Sequence, residues 1–327
     1  MIQMTGKTII VSAALLIIVL GGLIYSYQAG YLFPEYLTVF HAGSLSIPLH
    51  RLGGEFSKVH PRIHMNFESS GSVDAVRKIT DLGRSCDLLF VADWILIPKM
   101  MYDQHADWVL IFASNEMVIA YTDKSRYGDE INSTNWYKIL SREDVAFGRS
   151  DPNCDPCGYR ALMVIQLASI YYGDPSINKT LSEHKRTVIR PKSVELLALL
   201  ESGQIDYAFE YKSVAIQHNL KYVELPDEIN LSNWTMRDYY RQAKVTIIKG
   251  DRRVLIAGAP ILYGVTIPKN ARNVDDAMAF IRFMLSEDGR RIIEECGQNA
   301  IYPAYTDDPS RVPSELRGYV QRLLGEM

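Results

Sequence analysis

The sequence lacks any long basic stripe interleaved with aromatic side chains. Its 35 Lys and Arg are set against 38 Asp and Glu, for a net charge of −3, and that balance argues against nucleic acid as a partner. No internal repeat at solenoid periods and no low-complexity tract is present, which leaves ordinary globular lobes. There is no H-E-x-x-H motif, no Gly-rich phosphate loop and no convincing nucleophile–base pair, so nothing nominates a hydrolase or a nucleotide-driven enzyme. Cysteine is scarce, at four residues. Cys154 and Cys157 form one C-x-x-C, but Cys86 and Cys296 stand far apart and supply no second pair for a structural zinc site. A thioredoxin-type reading of Cys154–Cys157 needs a strand before it in a small βαβ domain. A disulfide among the four fits an extracellular setting, with a pairing that the sequence does not reveal.

Charge is also missing from Ile9 to Tyr25, an apolar run preceded by Lys7, and no further Lys or Arg occurs before Arg51. The run sits between the length of a signal-peptide core and that of a membrane span. It reads as a secretory signal or a retained N-terminal anchor, with the rest of the chain outside the cytoplasm. Neither a small-x-small cleavage site nor a cysteine for lipid attachment follows it. Four acceptor tripeptides, at Asn132, Asn178, Asn230 and Asn233, agree with an extracellular location.

At 327 residues the chain exceeds one ordinary core and fits two lobes. After Tyr36, strands near 36–40, 63–67 and 87–91 alternate with helices near 47–59, 73–82 and 94–103, a spacing that argues for parallel sheets flanked by helices. A mostly apolar extended stretch, Trp108 to Tyr121, leads to a second set: strands 145–147, 187–190 and 206–210, with helices 158–172 and 193–202. Val245 to Ile248 and Arg253 to Ile267 read as a second crossing, after which helices 274–286 and 287–296 complete the first lobe. The expected organisation is a signal or anchor over 1–30, lobe one over 31–112, lobe two over 113–255 and a return to lobe one over 256–327. Two lobes joined by two crossings form a cleft-closing binding protein.

Three strand-to-helix turns carry the candidate chemistry. Phe40-His41-Ala42-Gly43-Ser44-Leu45 ends one strand ahead of the run Leu49, Leu52, Phe56, Val59, and Glu68-Ser69-Ser70-Gly71-Ser72 ends the next. The third, Gly148 to Arg160, reads GRSDPNCDPCGYR. Helix N-termini offer unpaired N–H groups that attract anions, and hydroxyls add donors. Asp155 is therefore unusual in such a place. Its bland role is an N-cap or Asx turn ahead of Pro156, and helix capping is likewise the default for Ser44 and Ser72.

HAGSL, ESSGS, DLLFVAD, GRSDPNCDPCGYR, RPKSVELLALLESGQIDYAFEYKSVA and GAPILYGVTIP together resemble the archaeal tungstate/molybdate-binding proteins of ABC importers. The likeness runs from Leu37 to Tyr305. It implies a type II periplasmic-binding-protein fold, two α/β lobes joined by two crossover strands behind an N-terminal hydrophobic helix, with no cofactor and an oxyanion held between the lobes. It further implies permease and ATPase partner subunits and a place at the extracellular face of the membrane. By position, Gly43 and Ser44, then Ser70 and Ser72, match first-lobe donors. Asp155, with Pro156 beside it, matches a carboxylate that coordinates the metal; Cys157 matches a backbone N–H donor and Tyr211 a hydroxyl donor. One departure stands out: Ser193 follows the RPK triplet where some members carry an acid, and Glu210 is the substitute at hand, although strand alternation would aim Glu210 and Tyr211 to opposite faces.

A carboxylate aimed at an oxyanion repels it by several kcal/mol in a poorly screened site, roughly 4 kcal/mol at about 4 Å. It is admissible only if it binds the central atom. Tungsten(VI) and molybdenum(VI) expand from four to six ligands, whereas sulfate and phosphate do not here. Two other readings exist: a ferric-ion carrier of the same fold using the tandem tyrosines Tyr171–Tyr172 or Tyr239–Tyr240, and a C-x-x-C redox enzyme.

Overall fold

The expected alternation resolves into two separate sheets. The computed structural model describes residues 15–22, 24, 35–249 and 252–323. In chain order the strands are β1 (Glu35–Ala42), β2 (Ile63–Ser70), β3 (Leu88–Val91), β4 (Leu110–Asn115), β5 (Met117–Tyr121), β6 (Phe147–Ser150), β7 (Thr187–Arg190), β8 (Tyr207–Tyr211), β9 (Lys221–Glu224), β10 (Lys244–Lys249), β11 (Arg252–Ala257), β12 (Ile261–Thr266), β13 (Asn299–Thr306) and β14 (Val320–Arg322). The larger sheet is ordered β14-β13-β4-β12-β3-β1-β2 and the smaller β7-β6-β8-β5-β9. In each, the strands of the βαβ alternation run parallel, β2-β1-β3 in one and β7-β6-β8 in the other. The strands that enter from the other lobe, β5 and β12, run antiparallel to them. Both sheets are thus mixed rather than parallel throughout.

Each sheet packs its own aromatic group within one continuous buried core. β3, covered on both faces, is buried at every residue of its LLFV sequence, as internal strands of such sheets are. Phe56, Phe90, Phe112 and Phe280 meet edge to face beside the larger sheet, Phe56–Phe280 at 5.2 Å. Trp136, Phe147 and Phe209 do the same beside the smaller one. Burying each such side chain contributes about 1.5–3 kcal/mol. On the helix Ser46–Val59 the apolar face is Leu49, Leu52 and Phe56; Val59 ends the helix and is exposed.

The crossings are shorter than the extended runs suggested. Trp108 to Tyr121 divides into β4 and β5, one in each sheet, with the change at Glu116. On the return, β10 and β11 pair only with each other, and β12 enters the larger sheet after Gly258 to Pro260. Asn115 fixes the first crossing: its amide donates to the Ser213 hydroxyl (2.6 Å) and the Tyr263 hydroxyl (2.7 Å). The expected helix 94–103 is confined to Leu96–Met101. Among the expected sequons, Asn230 is buried with its amide bonded to the Leu225 carbonyl. Within the apolar run Ile9 to Tyr25, residues 15–22 and 24 are helical and exposed, and the remainder lies outside the described residues. No described helix is long and apolar enough to cross a membrane.

Candidate binding cleft

The carboxyl ends of β1, β2 and β3 face those of β6 and β8 across the junction of the two sheets. Asp155 caps the helix Pro156–Tyr171 with extended backbone (φ −138, ψ 130), and Pro156 occupies its first turn, a position where the missing N–H costs nothing. One carboxylate oxygen accepts the Cys157 N–H at 3.3 Å and the other accepts the Ser193 N–H at 2.9 Å. The capping role is therefore real, and the Cys157 N–H, expected to serve a ligand, is shared with Asp155 through a long bond. Each Asp155 oxygen retains a further lone pair. Burial raises the Asp155 pKa.

Glu210 lies beside it. The side chain is fully buried; Oε2 accepts the Tyr211 N–H at 3.2 Å, and Oε1 has no partner. Burial, and then the charge of Asp155, pushes its pKa up to about 8, opposed by the Tyr211 N–H and, less, by the Ser193 hydroxyl. The alternation argument against Glu210 fails for a local reason: β8 ends at Tyr211, where the chain turns directly into the helix Lys212–Gln217, so both residues reach the same end of the sheet. Burial holds the Tyr211 phenol well above its usual range, so it stays a neutral O–H donor.

The hydroxyls complete the pocket. Neither Ser44 nor Ser72 caps a helix. Ser72 Oγ instead accepts the Ala92 N–H at 2.9 Å, and Ser44 Oγ lies 3.4 Å from the Tyr263 hydroxyl. Ser70 Oγ and Ser150 Oγ are buried without partners, an uncommon state for polar atoms. Ser150 adjoins Asp155.

Two glycines let the lobes meet. A Cβ on Gly71 would stand 2.0 Å from the Cys154 carbonyl oxygen, so backbone of one lobe rests on backbone of the other. Gly43 faces Val194, 3.1 Å from where its Cβ would be. Across the same seam the Arg160 guanidinium pairs with Asp93 at 3.3 Å, and both are buried. Arg160 also bonds the Ala92 carbonyl (2.6 Å) and the Tyr211 hydroxyl (2.8 Å). The structure thus brings together Gly43, Ser44, Ser70, Ser72, Asp155, Pro156, Cys157, Ser193, Glu210 and Tyr211. Sequence reasoning did not single out Ser150, Arg160, Asn115 or Tyr263, although Ser150, Arg160 and Tyr263 lay within quoted motifs and Asn115 within the Trp108 to Tyr121 stretch.

The rival constellations lie elsewhere. Tyr172 bonds the Ser133 carbonyl, Tyr171 is exposed, and the Tyr240 hydroxyl bonds the Asp227 carbonyl. All four cysteines are free. Burial pushes the Cys154 thiol up to about 12 and holds the Cys157 thiol well above its usual range, the reverse of what a reactive C-x-x-C requires. Among the described residues no group of three or more His, Cys, Asp or Glu forms a metal-holding cluster.

Two mixed α/β lobes, two crossings and a buried polar seam at the strand ends define a two-lobed ligand-binding protein. The chain belongs to the bacterial extracellular solute-binding protein family, whose pattern matches residues 37–298. It is 46% identical over 313 residues to the molybdate/tungstate-binding protein WtpA of Pyrococcus abyssi (strain GE5 / Orsay), covering 87% of this chain and 90% of that one. It is 45% identical to the protein of the same name from Thermococcus kodakarensis (strain ATCC BAA-918 / JCM 12380 / KOD1), covering 87% of each chain. Among solved structures, the periplasmic molybdate-binding protein of Azotobacter vinelandii shares the fold with a TM-score of 0.61 at 19% identity, over 80% of this chain and 98% of that one.

Proposed function

We propose that this chain is the extracellular solute-binding component of an ABC importer and that its interlobe cleft takes tungstate and molybdate. The observation that carries the reading is the pair of buried carboxylates, Asp155 and Glu210, set among hydroxyl donors with one Glu210 oxygen unpaired. Sulfate or phosphate would meet repulsion from either group in its ionised form. A central atom that accepts two more oxygens turns the same groups into ligands, so one feature both admits and rejects. The names of the two WtpA relatives support this choice of solute.

In this reading Gly43, Ser44, Ser70, Ser72, the Cys157 N–H and Tyr211 hold the oxo groups, while Asp155 and Glu210 approach the metal. Pro156 and Ser193 shape the wall between them. The protein binds and releases its solute without transforming it. Energy for transport comes from partner permease and ATPase subunits, and the apolar run Ile9 to Tyr25 keeps the receptor at the outer face of the membrane. Residues 31–112 with 256–327 act as one moving lobe and 113–255 as the other.

Competition binding with the full chain tests the assignment. Tungstate and molybdate should bind and displace each other, while sulfate and phosphate at a hundredfold excess displace neither. Sulfate competing on equal terms, or ferric ion binding with no response to oxyanions, would reject the reading.

A further inference from the structure

Arg160 stands at the centre of a hydrogen-bond chain that joins a hydroxyl of one lobe to a hydroxyl of the other. Its guanidinium donates to the Tyr211 oxygen at 2.8 Å and to the Ala92 carbonyl at 2.6 Å. The Ala92 N–H in turn donates to Ser72 Oγ at 2.9 Å. Asp93, the next residue, pairs with Arg160 at 3.3 Å and accepts the Tyr159 hydroxyl as well. Arginine has donors and no acceptor. The Tyr211 oxygen accepts a hydrogen bond from Arg160 and Ser72 Oγ accepts one from the Ala92 N–H, and the O–H of each is left to donate elsewhere.

We propose that Arg160 is a positioning residue that locks the closed cleft through Asp93 and Ala92 and, by the same contacts, fixes Tyr211 as a donor toward the bound oxyanion. This rests on the tungstate/molybdate reading above. The consequence is coupling: when the lobes part, Arg160 loses both first-lobe partners and the Tyr211 hydroxyl loses the support that orients it. Ligand escape then requires breaking a buried ion pair, so the latch governs departure more than arrival. With one acceptor position of each oxygen occupied, the Ser72 and Tyr211 O–H groups are directed to donate, which suits a deprotonated oxyanion.

The ion pair forms one wall of a cavity of about 370 Å³ that Trp94 and Trp234 also line, so tryptophan fluorescence can follow closure. Stopped-flow tungstate binding to the full chain, and to its Arg160→Lys, Asp93→Asn and Tyr211→Phe variants, tests the proposal. Arg160→Lys and Asp93→Asn should raise the dissociation rate at least about 10-fold while changing the association rate less than about threefold. In the Tyr211→Phe background Arg160→Lys should raise the dissociation rate clearly less than it does alone, a non-additivity in release that shows the two act through their shared contact. Tyr159→Phe, which removes only one hydroxyl from Asp93, should raise dissociation a few-fold and covers the case in which the charge variants fail to fold. Folded variants that release tungstate at the unaltered rate, or fully additive effects, would overturn the latch while leaving the solute assignment standing. Absence of tungstate binding by the unaltered chain would overturn both.

Discussion

Glu210 is held where a carboxylate is costly, and that cost is measurable. In the ligand-free fold its pKa is pushed up to about 8 by burial and by Asp155, against about 4.3 in an unfolded chain. A raised carboxyl pKa means that the folded state keeps its proton longer. This contribution to stability is complete below pH ~4, declines as pH rises toward 8, and is flat beyond. Glu210→Gln removes the decline. It should stabilise the ligand-free protein at pH 8 by about 1–3 kcal/mol while weakening tungstate binding, and the gain should shrink toward pH 4.5. Urea unfolding of both proteins at several pH values checks this; a destabilised Gln variant at pH 8 would place the charge of Glu210 in a structural role. Glu210 itself was legible in the sequence only as a substitute for the acid missing at Ser193. Its geometry was not, because alternation assigns faces along a strand and says nothing at the residue where the strand becomes a helix.

At the scale of elements, the strand-to-helix turns were the legible part. The turns at Gly43–Ser44, Ser70–Ser72 and Asp155–Cys157 were each marked by glycine, serine or proline ahead of an apolar period, and each lies at the cleft. What sequence could not carry was pairing across distance. The Arg160–Asp93 bridge joins residues 67 positions apart, by subtraction of their numbers, and the Asn115–Tyr263 bond spans 148. Short strands such as β9 and β14 have too few residues for a period. The close approach of Gly71 to Cys154 was equally invisible, and it yields a prediction. Gly71→Ala places a methyl group where backbone of the other lobe rests, so the seam must open. Tungstate affinity, read by titration calorimetry, should fall at least about 10-fold, a loss of roughly 1.4 kcal/mol. Unchanged affinity would mean that the ligand-bound form keeps the two turns apart.

For the whole molecule, the chain passes between the two sheets at Glu116 and again between Ala257 and Ile261. Donors from both must converge on one ligand, so binding should compact the protein. Small-angle scattering of the full chain with and without tungstate should show a smaller radius of gyration at saturation. An unchanged radius, with binding verified separately, would favour a rigid preformed site. The central claim is narrower than closure: two carboxylates, one from each of two chain segments, bind the metal itself rather than the oxo groups around it. X-ray absorption at the tungsten edge of the saturated complex reads this most directly. Six oxygens around tungsten are predicted, falling by one in Glu210→Gln and by one in Asp155→Asn. A four-coordinate, undistorted tungstate in the unaltered protein would contradict the account.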